Sequence, residues 1–316
     1  MNKQQNVSGD NLKKLFEEYL KECQFTSGLR PATIKGYASL FFLFTQLMPD
    51  VGSVQFLTPS VMIEFFRQLQ ERTRIVGKDT PKIGVKASTI KTYWAKLNVF
   101  FQWLQRKGYM PQNPLKELKR PPEPRYDDSK ALKDEDVDRM LSAIVLRNTS
   151  PLVLRRDVAI LSVLYYCGLR RGELISLRVC DIDIDNGKIT IQGDTSKSKR
   201  TRTLPMHPTL SKNLKDYFTE RNKMKFKTEQ LWVSANRGDA GLTRNGLKHW
   251  EKRLIQISGV KFHAHQFRHS FATNLAKRDV GIVKIQKLLG HRSITMTERY
   301  VRSMGSEDLR DDINKL

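Results

Sequence analysis

Arg170, Lys197, His265, Arg268, His291 and Tyr300 follow one another through the second half of this 316-residue chain. Five of them can bind or protonate phosphate oxygens, and the sixth carries a phenol that can attack phosphorus. A phosphodiester under attack needs cations on its non-bridging oxygens and a proton donor for the departing alkoxide. Arginine suits the first task, because its planar fork donates two hydrogen bonds and stays charged. The local settings are Gly-Leu-Arg-Arg-Gly-Glu-Leu at 168–174, His-Gln-Phe-Arg-His at 265–269, Leu-Gly-His at 289–291 and Glu-Arg-Tyr at 298–300. Each is common alone, and their order along the chain gives them weight.

His265 and Arg268 stand three apart on an expected helix, so both project from one face and can meet one phosphate. His263, His265 and His269 also suggest a metal. Gln266 occupies the place of the glutamate in a His-Glu-x-x-His zinc site, and no cysteine joins them, so no metal is assigned. Asp181, Asp183 and Asp185 suggest a calcium loop, but its glycine falls on Asn186 and its final glutamate on Gln192. These aspartates are expected to flank a strand. Cys23, Cys167 and Cys180 are odd in number, lack a metal spacing and read as reduced thiols.

Lysine and arginine number 56 against 33 acids, a net charge of +23. That excess resists compaction unless a polyanion offsets it, and nucleic acid is the leading partner. Residues 201–300 hold 20 basic and 7 acidic side chains and residues 51–126 hold 14 and 5, so basic surface is expected on both halves. No apolar run approaches the ~20 residues of a spanning helix, and the N-terminal residues do not resemble a secretory leader. The expectation is a soluble, cytoplasmic protein.

The elements that must position these residues are mainly helical. Apolar residues recur at helical spacing in Leu12–Tyr19, Tyr37–Met48, Val61–Leu69 and Trp94–Leu104, which predicts an all-α first domain over residues 1–110. Thr33-Ile34-Lys35-Gly36-Tyr37 and Thr89-Ile90-Lys91-Thr92-Tyr93 repeat one pattern at two helix starts. Thr or a preceding Ser is expected to cap them, with phosphate contacts by Lys35 and Lys91 as the competing reading. Five prolines at 111, 114, 121, 122 and 124, with Lys116, Lys119, Arg120 and Arg125, predict a stiff basic linker over 111–130. The second domain, 131–316, opens with a helix at Lys133-Asp134-Glu135-Asp136, and a long apolar helix through Val153–Cys167 stops at Gly168. A hairpin follows from Lys188–Gln192 and Thr201–Leu204, with basic residues near its tip. Further helices are expected at Leu210–Arg221, Gly246–Ile257, Gln266–Ala276, Val283–Leu289 and Ile294–Val301. The fold class is mainly α with a small β-sheet, the second domain being α+β.

On these residues the chain resembles the tyrosine recombinases of the phage integrase and Xer type. Residues 168–174 match that family's first arginine box, 265–273 its second, and Leu289-Gly290-His291 with Tyr300 nine residues later its closing segment. The Thr-Ile-Lys-x-Tyr domain resembles the family's core-binding domain. The resemblance implies a two-domain clamp on duplex DNA, with Tyr300 as nucleophile and Arg170 and Arg268 gripping phosphate. His265 and His291 would be hydrogen-bonding and proton-transfer partners, and Glu173 would support the arginines. Lys197 would be the general acid; Lys199 and Arg200 share its turn, and counting back from Arg202 and Pro205 selects Lys197. His269 falls outside the implied set and reads as structural.

The implied chemistry needs no cofactor. A phenol with a pKa near 10 is a poor nucleophile at neutral pH, so preorganised cations must lower the barrier. The implied product is a 3′-phosphotyrosyl link with a free 5′-hydroxyl, resealed without ATP. The implied assembly is a homotetramer holding two core sites through a Holliday junction, with the tail after Tyr300 docking on a neighbour through a helical Glu307–Ile313. No accessory protein is marked in the sequence. About ten residues precede the first helix, which predicts a simple recombinase without an arm-binding domain, for dimer resolution or a compact mobile element. The competing classes are a type IB topoisomerase and a DNA-binding relative without chemistry.

Overall fold

The computed structural model describes residues 11–77, 79–122, 131–147, 150–194, 200–234 and 239–301, with backbone alone at 299–301. The chain divides into two compact units, Met1–Arg125 and Tyr126–Leu316.

In the first unit α1 (Leu12–Phe25), α2 (Pro31–Leu47), α3 (Pro59–Glu71) and α4 (Ala87–Arg106) form where the apolar spacing places them. Leu12, Leu15, Phe16, Tyr19 and Cys23 are the buried stripe of α1, and Asn11 caps it by accepting from the amides of Lys13 and Lys14. The core is aromatic. Phe16 stacks on Phe41 at 3.9 Å and Phe100 meets Phe16 edge-on at 5.1 Å, geometries that ring quadrupoles favour.

Three expectations for this unit need correction. It is not wholly helical, because β1 (Thr73–Val76) and β2 (Thr80–Ile83) pair antiparallel between α3 and α4. Neither strand buries a face, with Ile75 65% and Ile83 79% exposed, so no apolar alternation marks them. The repeated helix starts are not capped by Thr or Ser side chains. Arg30 and Lys86 are the cap residues, at φ −64°, ψ 144° and φ −61°, ψ 146°, and neither makes a side-chain cap bond. Pro31 and Ala87 then occupy the first helical position, which moves Thr33 and Thr89 inside the helix. The described part of the expected linker, 111–122, packs onto the first unit. Leu115 joins its core, and Asn113 donates to Asn98 at 2.8 Å. Proline prevents a helix there without preventing burial of the intervening leucine. Residues 123–130 lie outside the described residues.

The second unit holds α5 (Asp134–Arg147), α6 (Pro151–Cys167), α7 (Arg171–Ile175), β3 (Ile182–Asp183), β4 (Lys188–Ile191), β5 (Arg202–Pro205), α8 (Pro208–Lys223), α9 (Arg244–Ser258), α10 (Ala264–Lys277), α11 (Ile282–Leu289) and α12 (Thr295–Val301). Its helices and the β4–β5 pair stand where the sequence predicts them. The short β3 extends the pair to a three-stranded antiparallel sheet. Helix α6 is the central element, buried at every residue from Arg156 to Leu164, and α5, α8 and α10 pack on it. The mainly helical fold with small antiparallel sheets is thus as expected. Among the described residues no helix is long and apolar enough to cross a membrane.

Candidate active site

The site is assembled around the C-terminal end of α11. A helix leaves its last carbonyls without intrahelical donors, and these carry the negative end of the helix dipole. Here three consecutive carbonyls are met by three arginines from three different elements. Arg202 Nε donates to Leu288 O at 2.9 Å, Arg268 Nη2 to Leu289 O at 2.6 Å and Arg170 Nη2 to Gly290 O at 3.4 Å. Gly290 ends the helix in the left-handed region at φ +64°.

Each arginine arrives by a local device. Helix α6 stops at Gly168, with φ +55°, where a Cβ would lie 2.7 Å from the ring of Phe271. That close approach and the left-handed backbone both require glycine. The chain then turns so that Arg170 becomes the cap residue of α7. Glu173 accepts from its backbone amide at 3.0 Å and from its Nη1 at 2.7 Å. Arg171 turns away toward α9 and donates to Glu251 at 3.3 Å. Arg268 is 1% exposed, and its Nη1 donates to Gly168 O at 2.9 Å, so one side chain ties α10 to the ends of both α6 and α11. Arg202 lies opposite Ile191 in the β4–β5 register and donates from Nη1 and Nη2 to the two oxygens of Glu173, at 3.2 and 2.9 Å.

Glu173 is therefore a buried carboxylate between two guanidinium groups. Burial alone would raise its pKa, but the hydrogen bonds and charge of Arg202, with Arg170 beside it, hold it down to about 2. The buried ring of His291 follows the helix end directly, and its Nδ1 pairs with Thr297 Oγ1 on α12 at 2.8 Å. Desolvation first, then Arg268, Arg170, Arg202 and His265, push its pKa down to about 3. His265 lies on α10, three residues before Arg268. Desolvation, then Arg268, His263, Arg170 and His269, push its pKa down to about 4. Its ring is open to solvent, which weakens the desolvation part of that push and leaves its direction. Both rings are neutral at pH 7.

Arg170, Glu173, His265, Arg268 and His291 thus converge. His263 is the cap residue of α10, and His269 is buried with its Nδ1 3.2 Å from Thr273 Oγ1. Asp181 borders the sheet, accepting from Gln192 Nε2 at 2.7 Å. Arg200 is exposed and, with Arg202, Lys287, His291 and Arg292, lines a cleft of ≈ 370 Å³. Lys197 and Lys199 lie outside the described residues, as does the Glu307–Ile313 segment. The backbone of Tyr300 is on α12, and its side chain lies outside the described residues. Lys35, exposed on α2, and Lys91, on α4, belong to the first unit and are not among the residues brought together here.

Two residues of the cluster escaped the sequence reading. Arg202 alternates with Leu204 on β5, and Leu204 is buried, so period-two counting turns Arg202 inward as well. An inward arginine calls for a buried acid, which is Glu173. Thr297 gave no comparable signal, because its partner lies across a turn.

A model of the phage integrase family matches residues 130–307, more than half of the chain. The chain belongs to that family. The tyrosine recombinase XerD of Listeria monocytogenes serotype 4b is 31% identical over 292 residues, which are 90% of this chain and 93% of that protein. This integrase-family chain is a tyrosine-type site-specific recombinase. Two solved structures share its fold. The Tn1549 transposon integrase in complex with transposon right end DNA superposes with a TM-score of 0.76 at 18% identity, over 97% of this chain and 99% of that one. XerH site-specific recombinase bound to palindromic difH substrate gives 0.71 at 20% identity, over 92% and 82%.

Proposed function

We propose that this recombinase cuts and rejoins duplex DNA at specific core sites through a 3′-phosphotyrosyl intermediate. The observation that supports it most is the cluster of Arg170 and Arg268 on the end of α11, with two neutral histidines beside them. Phosphoryl transfer is mostly positioning and electrostatics, and fixed guanidinium groups supply both. Arg170 and Arg268 grip the scissile phosphate, and His265 and His291 supply hydrogen bonds and an acceptor for the phenolic proton. The Tyr300 oxygen bonds to phosphorus as the P–O5′ bond breaks. Lys197 gives its proton to the leaving O5′. Energy kept in the phosphotyrosyl ester lets a second 5′-hydroxyl reseal the strand without ATP.

The first unit, with 111–122 packed on it, serves as the core-DNA-binding domain and residues 131–316 as the catalytic domain. Two units of basic surface suit a partner that is duplex DNA, with Lys35, Lys91, Lys199 and Arg200 on its backbone. Four protomers hold two sites and exchange strands through a Holliday junction, in the cytoplasm. The relatives named Xer and the transposon integrase bound to its DNA end are the analogies for this role.

The test uses nicked suicide duplexes whose sequence is taken from junctions recovered from cells expressing the chain. The wild type should form a covalent DNA adduct and Tyr300→Phe none. An adduct formed equally by Tyr300→Phe would refute the assignment. Joining that needs two specific sites separates recombination from topoisomerase-like relaxation.

A further inference from the structure

Arg202 does three things at once. Its Nε caps Leu288 O, and its two Nη groups engage both oxygens of Glu173. Its side chain is 10% exposed. It also fills the space beside Gly290, where a Cβ would sit 2.9 Å from Nη1 and 3.1 Å from Cδ. It therefore touches two segments that carry site residues. One is the α7 start, through the carboxylate that also holds Arg170; the other is the turn leading into His291. Its own strand β5 is the third, since Lys197 stands five residues earlier in the sequence.

We propose that Arg202 is a positioning residue for strand cleavage, locking the Arg170–Glu173 pair, the His291 turn and the β4–β5 hairpin into one register. The proposal rests on the function assigned above. The physical argument is geometric. Without Arg202, Glu173 keeps Arg170 as its cation among the described residues, and Arg170 is then free to follow the carboxylate away from Gly290 O. The Leu288 carbonyl loses its donor, and the turn before His291 loses the side chain packed on Gly290. Three of the five N–H donors of Arg202 are taken by these contacts, and its side chain is nearly buried, so the role assigned to it is to hold its neighbours. A lysine cannot replace it, because one ammonium on a flexible stem cannot span a carbonyl and two carboxylate oxygens in a fixed plane.

The test compares full-length wild type, Arg202→Ala, Arg202→Lys and Tyr300→Phe. Each is assayed for duplex affinity, for single-turnover adduct formation on the nicked duplex described above and for thermal melting. Arg202→Ala should cut about 100-fold more slowly, the scale of a misplaced constellation, with duplex affinity unchanged. Added methylguanidinium should restore part of the rate, and a purely structural role would not respond to it. Arg202→Lys should stay at least about tenfold slow although its charge is kept. Cleavage by Arg202→Lys within about threefold of wild type would overturn the proposal, and so would a loss of affinity equal to the loss of rate. If Arg202→Ala does not fold, Arg202→Lys decides. If neither folds, Arg202 serves the fold alone and the proposal fails. A wild type that forms no adduct would instead overturn the assigned function, and the positioning role with it.

Discussion

Replacing Glu173 by glutamine keeps the shape of the side chain and removes the one negative charge between Arg170 and Arg202. The carboxylate side chain is 1% exposed and accepts four hydrogen bonds, from the Arg170 amide, Arg170 Nη1 and both Nη groups of Arg202. A glutamine accepts with one atom and turns an NH₂ toward a guanidinium. Breaking a buried pair by removing one partner costs about 3–5 kcal/mol. The titration gives a similar figure. A carboxyl held at about 2 instead of 4.5 contributes about 3 kcal/mol at neutral pH. Because the folded pKa is depressed, this contribution is present above 4.5 and is lost as pH falls from 4.5 toward 2. The second unit should therefore melt about 6–12 °C lower in Glu173→Gln at pH 7, taking about 3 kcal/mol for a domain of its size. Calorimetry of the full chain from pH 7 down to pH 2 checks both parts. The two proteins should converge as the wild type loses stability below pH 4.5. A variant that melts within about 1 °C of wild type at pH 7, or a gap that stays constant to pH 2, would show that the carboxylate is not the keystone between the two cations.

Desolvation first, and then the neighbouring cations, hold His291 and His265 neutral; a bound phosphate opposes the cation part, so both pKa values should rise on binding and DNA binding should take up protons below about pH 6.5. Calorimetric titration in buffers of different ionisation enthalpy reads the uptake, and no uptake would refute the coupling. Gly168→Ala forces a Cβ against Phe271 at a left-handed backbone position, and should cost at least about 2 kcal/mol of stability by denaturant melt. Asp157→Ala leaves Arg156, buried on α6 itself, without its carboxylate and should cost about 3–5 kcal/mol in the same measurement. Lys35→Ala should lower the slope of log affinity against log salt by about 0.9 and leave single-turnover cleavage of bound DNA unchanged.

Most of the helices were legible in the sequence, because a buried stripe repeats at the helical period whatever it packs against. The stripe Leu12, Leu15, Phe16, Tyr19 and Cys23 is one case, and the stop at Gly168 is another. The hairpin β1–β2 was not legible, since strands that bury nothing leave no pattern, and the true caps Arg30 and Lys86 were hidden by better-capping neighbours. In the site, the residue types and their order pointed to phosphate chemistry; Arg170, Arg268 and His291 lie together at the end of α11, and His265 stands three residues before Arg268 on α10.

The sequence by itself determined which chemical groups this chain possesses and which short segments present them, because periodicity, glycine stops and motif spacing act over a few residues. Only the tertiary structure decided how the groups hold one another. The end of α11 gathers arginines from α7, β5 and α10, Glu173 sits between two of them, and Thr297 grips the far side of His291. The three arginine-to-carbonyl bonds join residues 21 to 120 positions apart, and Arg202 alternates with Leu204 without naming its acid. Carbonyl acceptors leave no trace in a sequence, since every residue has one; which of them faces a guanidinium is settled when the helices pack.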